Sequence, residues 1–161
     1  MMQSRIEEFF QNYYKVCYRT AFALVKNRAD AEDVVQETLL RLLLYRPDFA
    51  SAEHEKAWML RTAMNLCKDM LKRKWRKTTV SLEHMPAAKY GSLWLSGMEH
   101  DDTFWTLLEL TSPYKECLYL FYYEDYSIRE IADILEKPEN TVKTNLRRGR
   151  EALKQKLEER R

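Results

Sequence analysis

The sequence predicts an all-α protein with two small helical domains joined by a linker, the C-terminal one a helix-turn-helix. Apolar residues recur every three or four positions along most of the chain, which is the period of an amphipathic helix. The 161 residues include only 3 Gly and 4 Pro, while 32% are charged and 45% are hydrophobic, as is typical of a folded, helix-rich chain. Residues 78–102 hold two of the three glycines and interrupt the helical pattern.

The first domain, residues 1–77, is expected to contain three helices. The first should end near Lys26. Asp30 is a good N-cap for the second, with further acids in its first turn, and Pro47 should end it because the residue before a proline avoids helical geometry. A short loop then leads into a third helix at residues 53–76.

The second domain, residues 103–161, follows the linker at residues 78–102, whose apolar residues suggest that parts of it pack on a domain or a partner. Ser112 is expected to cap a helix that has Pro113 in its first turn. The helices of this domain are predicted at residues 103–110, 113–124, 127–135 and 139–157.

The second helix has two faces that look apolar, and only one can be the core. On a helical wheel one side carries Ala31, Val35, Leu39 and Leu42. The opposite side, which should be solvated, carries Asp33, Glu37, Leu40 and Leu44. The helical pattern does not explain these leucines, which either pack on a neighbouring helix of the same chain or serve another purpose. Two basic patches and this acidic helix suggest separate binding surfaces.

The third helix carries an aromatic ring, an amide and several bases on one stripe: Trp58, Thr62, Asn65, Asp69, Lys72 and Arg76. Its other side carries Leu60, Ala63, Met64, Cys67 and Leu71. Such a stripe could stack on an unpaired base and hold phosphates. Trp58 fits a core position equally well, and the wheel does not decide between the two.

The segment from Tyr126 to Leu157 has the spacing of a helix-turn-helix. Its predicted buried positions are Ile131, Ala132, Leu135, Val142, Leu146 and Leu153, with Gly149 on the same stripe as a site of close helix approach. The exposed face of the last helix carries Asn140, Lys143, Thr144, Arg147, Arg148 and Glu151, with Asn145 at its edge. These groups suit phosphates and base edges in a major groove. A basic helical face is more often simply solvated, but the helix-turn-helix spacing and the charge together predict DNA binding.

Catalysis is not expected. Asp33 and Glu37 lie one turn apart and could ligate a metal, but a carboxylate site needs further ligands, and the histidines are predicted in loops or the linker: His54, His84 and His100. The sequence has no Ser-His-Asp arrangement, phosphate-binding glycine loop or Cys-His pair. We therefore predict no catalytic residue, no metal and no cofactor.

The expected compartment is the cytoplasm. The cysteines, Cys17, Cys67 and Cys117, are too scattered for a zinc site and are expected to be reduced and buried. No apolar run is long enough to cross a membrane, and the N-terminus MMQSRIEEFF lacks the pattern of a signal peptide, so no direct membrane insertion is expected.

Three segments together resemble the extracytoplasmic-function (ECF) group of bacterial RNA polymerase sigma factors. They are DAEDVVQETLLRLL, AWMLRTAMNLCKDMLKRK and YSIREIADILEKPENTVKTNLRRGREALK, and their order and spacing agree with that family over nearly the whole chain. The resemblance implies a region 2-like domain at residues 1–77 and a region 4-like domain at residues 103–161. It also implies an alternative sigma factor that binds core polymerase and directs promoter-specific initiation by recognising -10 and -35 elements and assisting melting.

The resemblance also assigns roles to individual residues. The polymerase-binding set is Asp33, Gln36, Glu37, Leu40 and Leu44. The -10 set is Trp58, Arg61, Thr62, Asn65, Lys68, Lys72, Arg73 and Arg76, helped by the loop at residues 46–56. The -35 set is Asn140, Thr141, Lys143, Thr144, Asn145, Arg147 and Arg148. Members of this group are typically held inactive by an anti-sigma factor, often membrane-anchored, so such a partner is implied here.

Three positions depart from the family pattern. Glu136 and Asp125 stand where glycine is frequent, and a non-glycine residue in left-handed geometry costs on the order of 1 kcal/mol. Asn145 stands where arginine is frequent, so the -35 sequence does not follow from the resemblance. An autonomous helix-turn-helix regulator is the alternative function, but it would not need the docking helix or the basic stripe of the first domain.

Overall fold

The computed structural model describes residues 2–45, 47–77 and 102–160. The chain separates into two compact units, Met1–Trp94 and Leu95–Arg161. The described residues form helices and connecting loops without strands, so the predicted all-α class is confirmed. The linker predicted at residues 78–102 lies outside the described residues except for Asp102, which is the first residue of a helix.

The first unit contains α1 (Met2–Asn12), α2 (Tyr14–Val25), α3 (Arg28–Tyr45) and α4 (Ala52–Lys77). The single first helix predicted from the sequence is therefore two helices separated at Tyr13. Helical hydrogen bonds continue on both sides, from Tyr13 to Phe9 and from Cys17 to Tyr13. The Tyr13 hydroxyl donates to Glu55 of α4. Burial and this carboxylate raise the pKa of Tyr13, so the phenol stays protonated and keeps its donor.

Two helix starts differ from the prediction. Asn27, rather than Asp30, caps α3, because its Oδ1 accepts the Asp30 backbone N–H at 2.9 Å and the helix already begins at Arg28. Ser51 accepts the backbone N–H of His54 at 3.1 Å, and α4 begins at Ala52. His54 was predicted in a loop and lies instead in the first turn of α4, so the loop ends at residue 51.

The core of the first unit lies between α2, α3 and α4. Its largest fully buried side chains are Phe9, Tyr18, Phe22, Met59 and Leu60. The predicted inner face of α3 is confirmed, since Ala31, Val35 and Leu42 are buried and Leu39 is half-buried. The prediction that Leu71 is buried was wrong: its side chain is 38% exposed near the C-terminal end of the 26-residue α4, because the helical period shows which side Leu71 lies on but not whether another helix covers it there.

Thr20→Val should stabilise the first unit by about 1 kcal/mol. The Thr20 hydroxyl is buried and makes no hydrogen bond with any described residue, and an unsatisfied buried polar group costs about 1–3 kcal/mol. Thr38→Val is the matched control, since the Thr38 hydroxyl is equally buried but donates to the Val34 carbonyl at 2.8 Å. Thermal unfolding should give a higher midpoint for Thr20→Val only. Equal midpoints for the two variants would contradict the prediction.

The second unit contains α5 (Asp102–Leu107), α6 (Tyr114–Tyr122), α7 (Ile128–Leu135) and α8 (Glu139–Glu159). The predicted Ser112 cap was wrong, because α6 begins at Tyr114 and the Ser112 hydroxyl donates to Glu116 at 2.6 Å instead. A capping box starts α7: Ser127 accepts from the Glu130 N–H at 3.1 Å, and Glu130 accepts from the Ser127 N–H at 2.9 Å.

Helices α7 and α8 form the predicted helix-turn-helix around buried Ile131, Val142 and Leu146. Two predicted core positions differ, since Leu135 and Leu153 are only half-buried, while Ile134 is buried next to Ile131. The wheel misjudged Leu135 because it stands at the last residue of a short helix, where the chain turns away.

Both non-glycine residues at the family's glycine positions take left-handed backbone geometry, with φ of 57° at Asp125 and 56° at Glu136. The Glu136 backbone N–H bonds to the Ala132 carbonyl and closes the end of α7. Glu136 lies in the turn of the helix-turn-helix and Asp125 in the turn before α7, and each left-handed residue costs about 1 kcal/mol, which the rest of the fold offsets.

Candidate functional site

The outer face of α3 is exposed at every residue that the sequence assigns to polymerase binding: Asp33, Gln36, Glu37, Leu40 and Leu44. Leu40 is 51% exposed and Leu44 is 75% exposed, so these leucines do not pack on another helix within the described part of the first unit. Tyr45, which the sequence analysis missed, is 73% exposed beside Leu44 and enlarges the apolar part of this face. Arg41 pairs with Glu37 at 3.4 Å on the surface.

The stripe on α4 presents a mixture of exposed and half-buried groups. Asn65, Lys72 and Arg73 are exposed, whereas Arg61, Thr62 and Lys68 are half-buried. Arg76 belongs to the last turns of α4, and its side chain lies outside the described residues. The arrangement brings a neutral amide and several cations onto one long helix, which can follow a nucleic-acid backbone.

Trp58 is neither fully buried nor free in solvent. Its ring is half-buried and contacts the ring of Phe49 at a centroid distance of 5.7 Å, inclined by 61°. Phe49 also meets the ring of His54 edge to face at 5.5 Å. Sequence analysis missed Phe49 and His54 as members of this cluster. The available signal was an aromatic residue in an otherwise polar loop together with His54 and Trp58, which are one helical turn apart.

The N-terminal half of α8 carries the predicted groove-facing set. Asn140, Thr141, Lys143, Arg147 and Arg148 are exposed, while Thr144 and Asn145 are half-buried. Val142, Leu146 and Gly149 are buried on the opposite side and hold the helix on the second unit. The predicted residues therefore share one accessible surface that starts at the helix N-terminus, the end that enters first in helix-turn-helix docking.

Among the described residues, no group of three or more His, Cys, Asp or Glu side chains lies close enough together to hold a metal ion. The three cysteines are buried thiols that form no disulfide bond, as predicted. None of the described helices combines the length and the apolar composition needed to cross a membrane.

Comparison with known families defines the class of protein. The Sigma-70 region 2 family model matches residues 9–77, and the Sigma-70, region 4 family model matches residues 106–153. The chain is thus built from the two helical regions that sigma factors use.

Curated relatives narrow the class. The chain is 29% identical over 167 residues to the ECF RNA polymerase sigma factor SigW of Bacillus subtilis (strain 168), covering 94% of this chain and 86% of the relative. It is 33% identical over 136 residues to the RNA polymerase sigma factor SigV of the same organism, covering 82% and 78%. The protein belongs to the ECF group of RNA polymerase sigma factors. It is an alternative sigma factor that binds core RNA polymerase and promoter DNA.

A solved structure has the same fold. The sigma factor RpoE from Bartonella quintana, crystallised with the anti-sigma factor NepR, matches with a TM-score of 0.69 at 23% sequence identity. The match covers 89% of this chain and 90% of that one. The chain therefore agrees with a known sigma factor in its fold as well as in its sequence motifs.

Proposed function

We propose that residues 1–77 dock on core polymerase and open the -10 element, and that residues 103–161 read the -35 element. The linker at residues 78–102 joins the two. The observation that carries this proposal is the outer face of α3, where two exposed acids are followed along the helix by two strongly exposed leucines, all on the side away from the core. Exposed leucines do not stabilise the free domain, whereas a protein interface buries apolar groups close to charged ones.

The partner surface that fits this face carries basic and apolar groups. Asp33 and Glu37 lie one turn apart, as do Leu40 and Leu44, so acids occupy one end of the face and leucines the other. The acids would orient the partner and speed association, and the leucines would supply the buried contact. The clamp helices of the polymerase largest subunits are the partner implied by the family.

On α4 the -10 role belongs to Trp58, Arg61, Thr62, Asn65, Lys68, Lys72, Arg73 and Arg76. Asn65 is exposed and can bond the edge of an unpaired base, and Trp58 offers part of its ring for stacking. The lysines and arginines would hold the phosphates on either side. Capture of an unpaired base stabilises the melted state, so the same contacts would both recognise and open this element.

On α8 the -35 role belongs to Asn140, Thr141, Lys143, Thr144, Asn145, Arg147 and Arg148. Exposed arginine and amide groups on a helix-turn-helix suit base edges, and Lys143 suits a phosphate. Two domains that each bind DNA weakly gain affinity for promoters with both elements when a linker joins them, because the second domain then binds in an intramolecular step. The protein would direct initiation without catalysing a reaction itself.

The protein would act in the cytoplasm, where polymerase and promoters are found. An anti-sigma factor, often membrane-anchored in this family, would regulate the protein, and RpoE, which has the same fold, was crystallised with the anti-sigma factor NepR. Such a partner would hold this protein off core polymerase until a signal releases it.

A run-off transcription assay tests the function as a whole. Purified bacterial core polymerase is mixed with a pool of random promoter fragments, with or without this protein. Transcripts that depend on the protein and share two upstream elements would support the proposal and define the promoter sequence. DNA retained by the protein alone, with no transcript, would favour an autonomous helix-turn-helix regulator.

Arg147→Ala should reduce transcription from promoters with a -35 element by about tenfold, because a groove contact of this kind contributes about 1–3 kcal/mol. Lys154→Ala is the matched control, since it removes one positive charge from the same helix about 10 Å further from its N-terminus. An equal loss on templates that lack the -35 element would contradict the assigned role.

A further inference from the structure

We propose that Phe49 and His54 are positioning residues that hold the loop before α4, residues 47–51, in the conformation that receives the unpaired -10 base. The inference rests on the proposed -10 role of α4 and adds two residues to it. Both lie within residues 46–56, which the resemblance assigns to base capture as a whole, and neither is in the set of α4 residues that runs from Trp58 to Arg76. They lie next to the N-terminal end of that set.

The first observation is a cluster of three rings. His54 and Trp58 are four residues apart on α4 and therefore share a face. Phe49 reaches from the loop and contacts both rings, at 5.5 Å and 89° to His54 and at 5.7 Å and 61° to Trp58. Edge-to-face geometry is the favourable arrangement for aromatic pairs. The loop is thus fastened to α4 through its one aromatic side chain.

The second observation is a set of hydrogen bonds that fixes the loop backbone. The Ala50 N–H donates to Nδ1 of His54 at 3.1 Å. In the other direction, the His54 N–H donates to the Ser51 hydroxyl at 3.1 Å, and the Glu55 N–H donates to the Ser51 carbonyl at 3.1 Å. Because Nδ1 accepts, the ring proton of a neutral imidazole is on Nε2. His54 therefore closes the loop with its side chain and its backbone together.

The third observation is a hydrogen bond between the first turn of α4 and α1–α2, next to this cluster in sequence. Glu55, the residue after His54, accepts a hydrogen bond from the Tyr13 hydroxyl at the break between α1 and α2. The Tyr13–Glu55 hydrogen bond therefore links the first turn of α4 to the core, and the hydrogen bonds of His54 link the loop to that turn. An ordered loop needs no further loss of backbone entropy when it meets a base, and ordering even one residue on binding would lower affinity by about fivefold or more.

The test measures promoter opening by holoenzyme reconstituted from core polymerase and the full chain, on a promoter found by the run-off assay. Permanganate reactivity of thymines in the -10 element reports the unpaired state. His54→Ala and Phe49→Ala should each lower that reactivity by about tenfold. His54→Asn keeps an acceptor near the position of Nδ1 and should recover a part of the loss. Affinity for core polymerase should stay within about twofold of the wild type, as expected for an unchanged first unit.

Each other result overturns the inference. Full opening by His54→Ala would show that the loop needs no fixing, and equal loss in His54→Ala and His54→Asn would show that the acceptor is irrelevant. A parallel loss of core affinity would assign His54 a structural role only. Asn65→Ala, measured alongside, separates this inference from the proposed function: if Asn65→Ala also opens the promoter normally, the -10 role of α4 itself is wrong.

Discussion

Leu40→Arg is expected to weaken binding to core RNA polymerase by about 30-fold or more and to leave the first unit folded. Leu40 is 51% exposed, so arginine can extend into solvent in the free protein at little cost. In the complex the same side chain would bring a charge into the apolar part of the interface, and loss of a buried contact there costs about 2 kcal/mol or more. Glu37→Lys should act in the same direction by reversing a charge that faces the basic partner.

Leu71→Arg provides the matched control for that prediction. Leu71 is also an exposed leucine on a helix of the first unit, at 38% exposure, but it lies on α4 and outside the docking face. Core affinity measured by fluorescence anisotropy should fall for Leu40→Arg and remain near the wild-type value for Leu71→Arg. Unchanged affinity in both Leu40→Arg and Glu37→Lys would refute the docking assignment.

Gly149→Val is expected to destabilise the second unit by about 2 kcal/mol. A Cβ atom at Gly149 would stand 3.0 Å from Cδ1 of Leu118 and 3.2 Å from Cβ of Tyr114. Both residues belong to α6, which begins at Tyr114. Leu118 is fully buried, and Cβ of Tyr114 is attached directly to the α6 backbone, so relief of these contacts requires α8 to shift away from α6. Forcing extra methyl groups into a packed core typically costs about 1–3 kcal/mol, which exceeds any gain in helix propensity over glycine.

Gln155→Val is the matched control for Gly149→Val. It introduces the same valine side chain into α8 at an exposed position, so it reports the effect of valine on helix propensity without the packing clash. Native-state hydrogen exchange of the full chain should show faster exchange in α6 and α8 for Gly149→Val, with protection in α2 and α4 retained. Similar exchange in the two variants would mean that the close approach of α6 and α8 is not needed. Transcription from promoters with a -35 element should fall together with the stability of the second unit.

The sequence by itself determined the helical class, the helix-turn-helix and the family. Period-3.6 patterns extend over long stretches, and such patterns depend on local spacing alone, so α3, α4 and α8 could be predicted to within a few residues. The inner faces of α3 and α8 followed from the same spacing. The docking and DNA-binding sets were predicted from exposed charge and from resemblance, and the structure shows the accessible members of each on the surface of a single helix.

The tertiary structure decided what depends on contacts between distant residues. Local spacing could not show that the leucines of the outer α3 face remain uncovered, since that depends on where α1, α2 and α4 pack. At the break between α1 and α2, Tyr13 bonds to a partner 42 residues away, Glu55, which local spacing could not reveal either. Likewise, Trp58 is half-buried because Phe49 folds back onto it from the preceding loop. A helix period reports which residues share a face, but only packing decides which face is covered and by what.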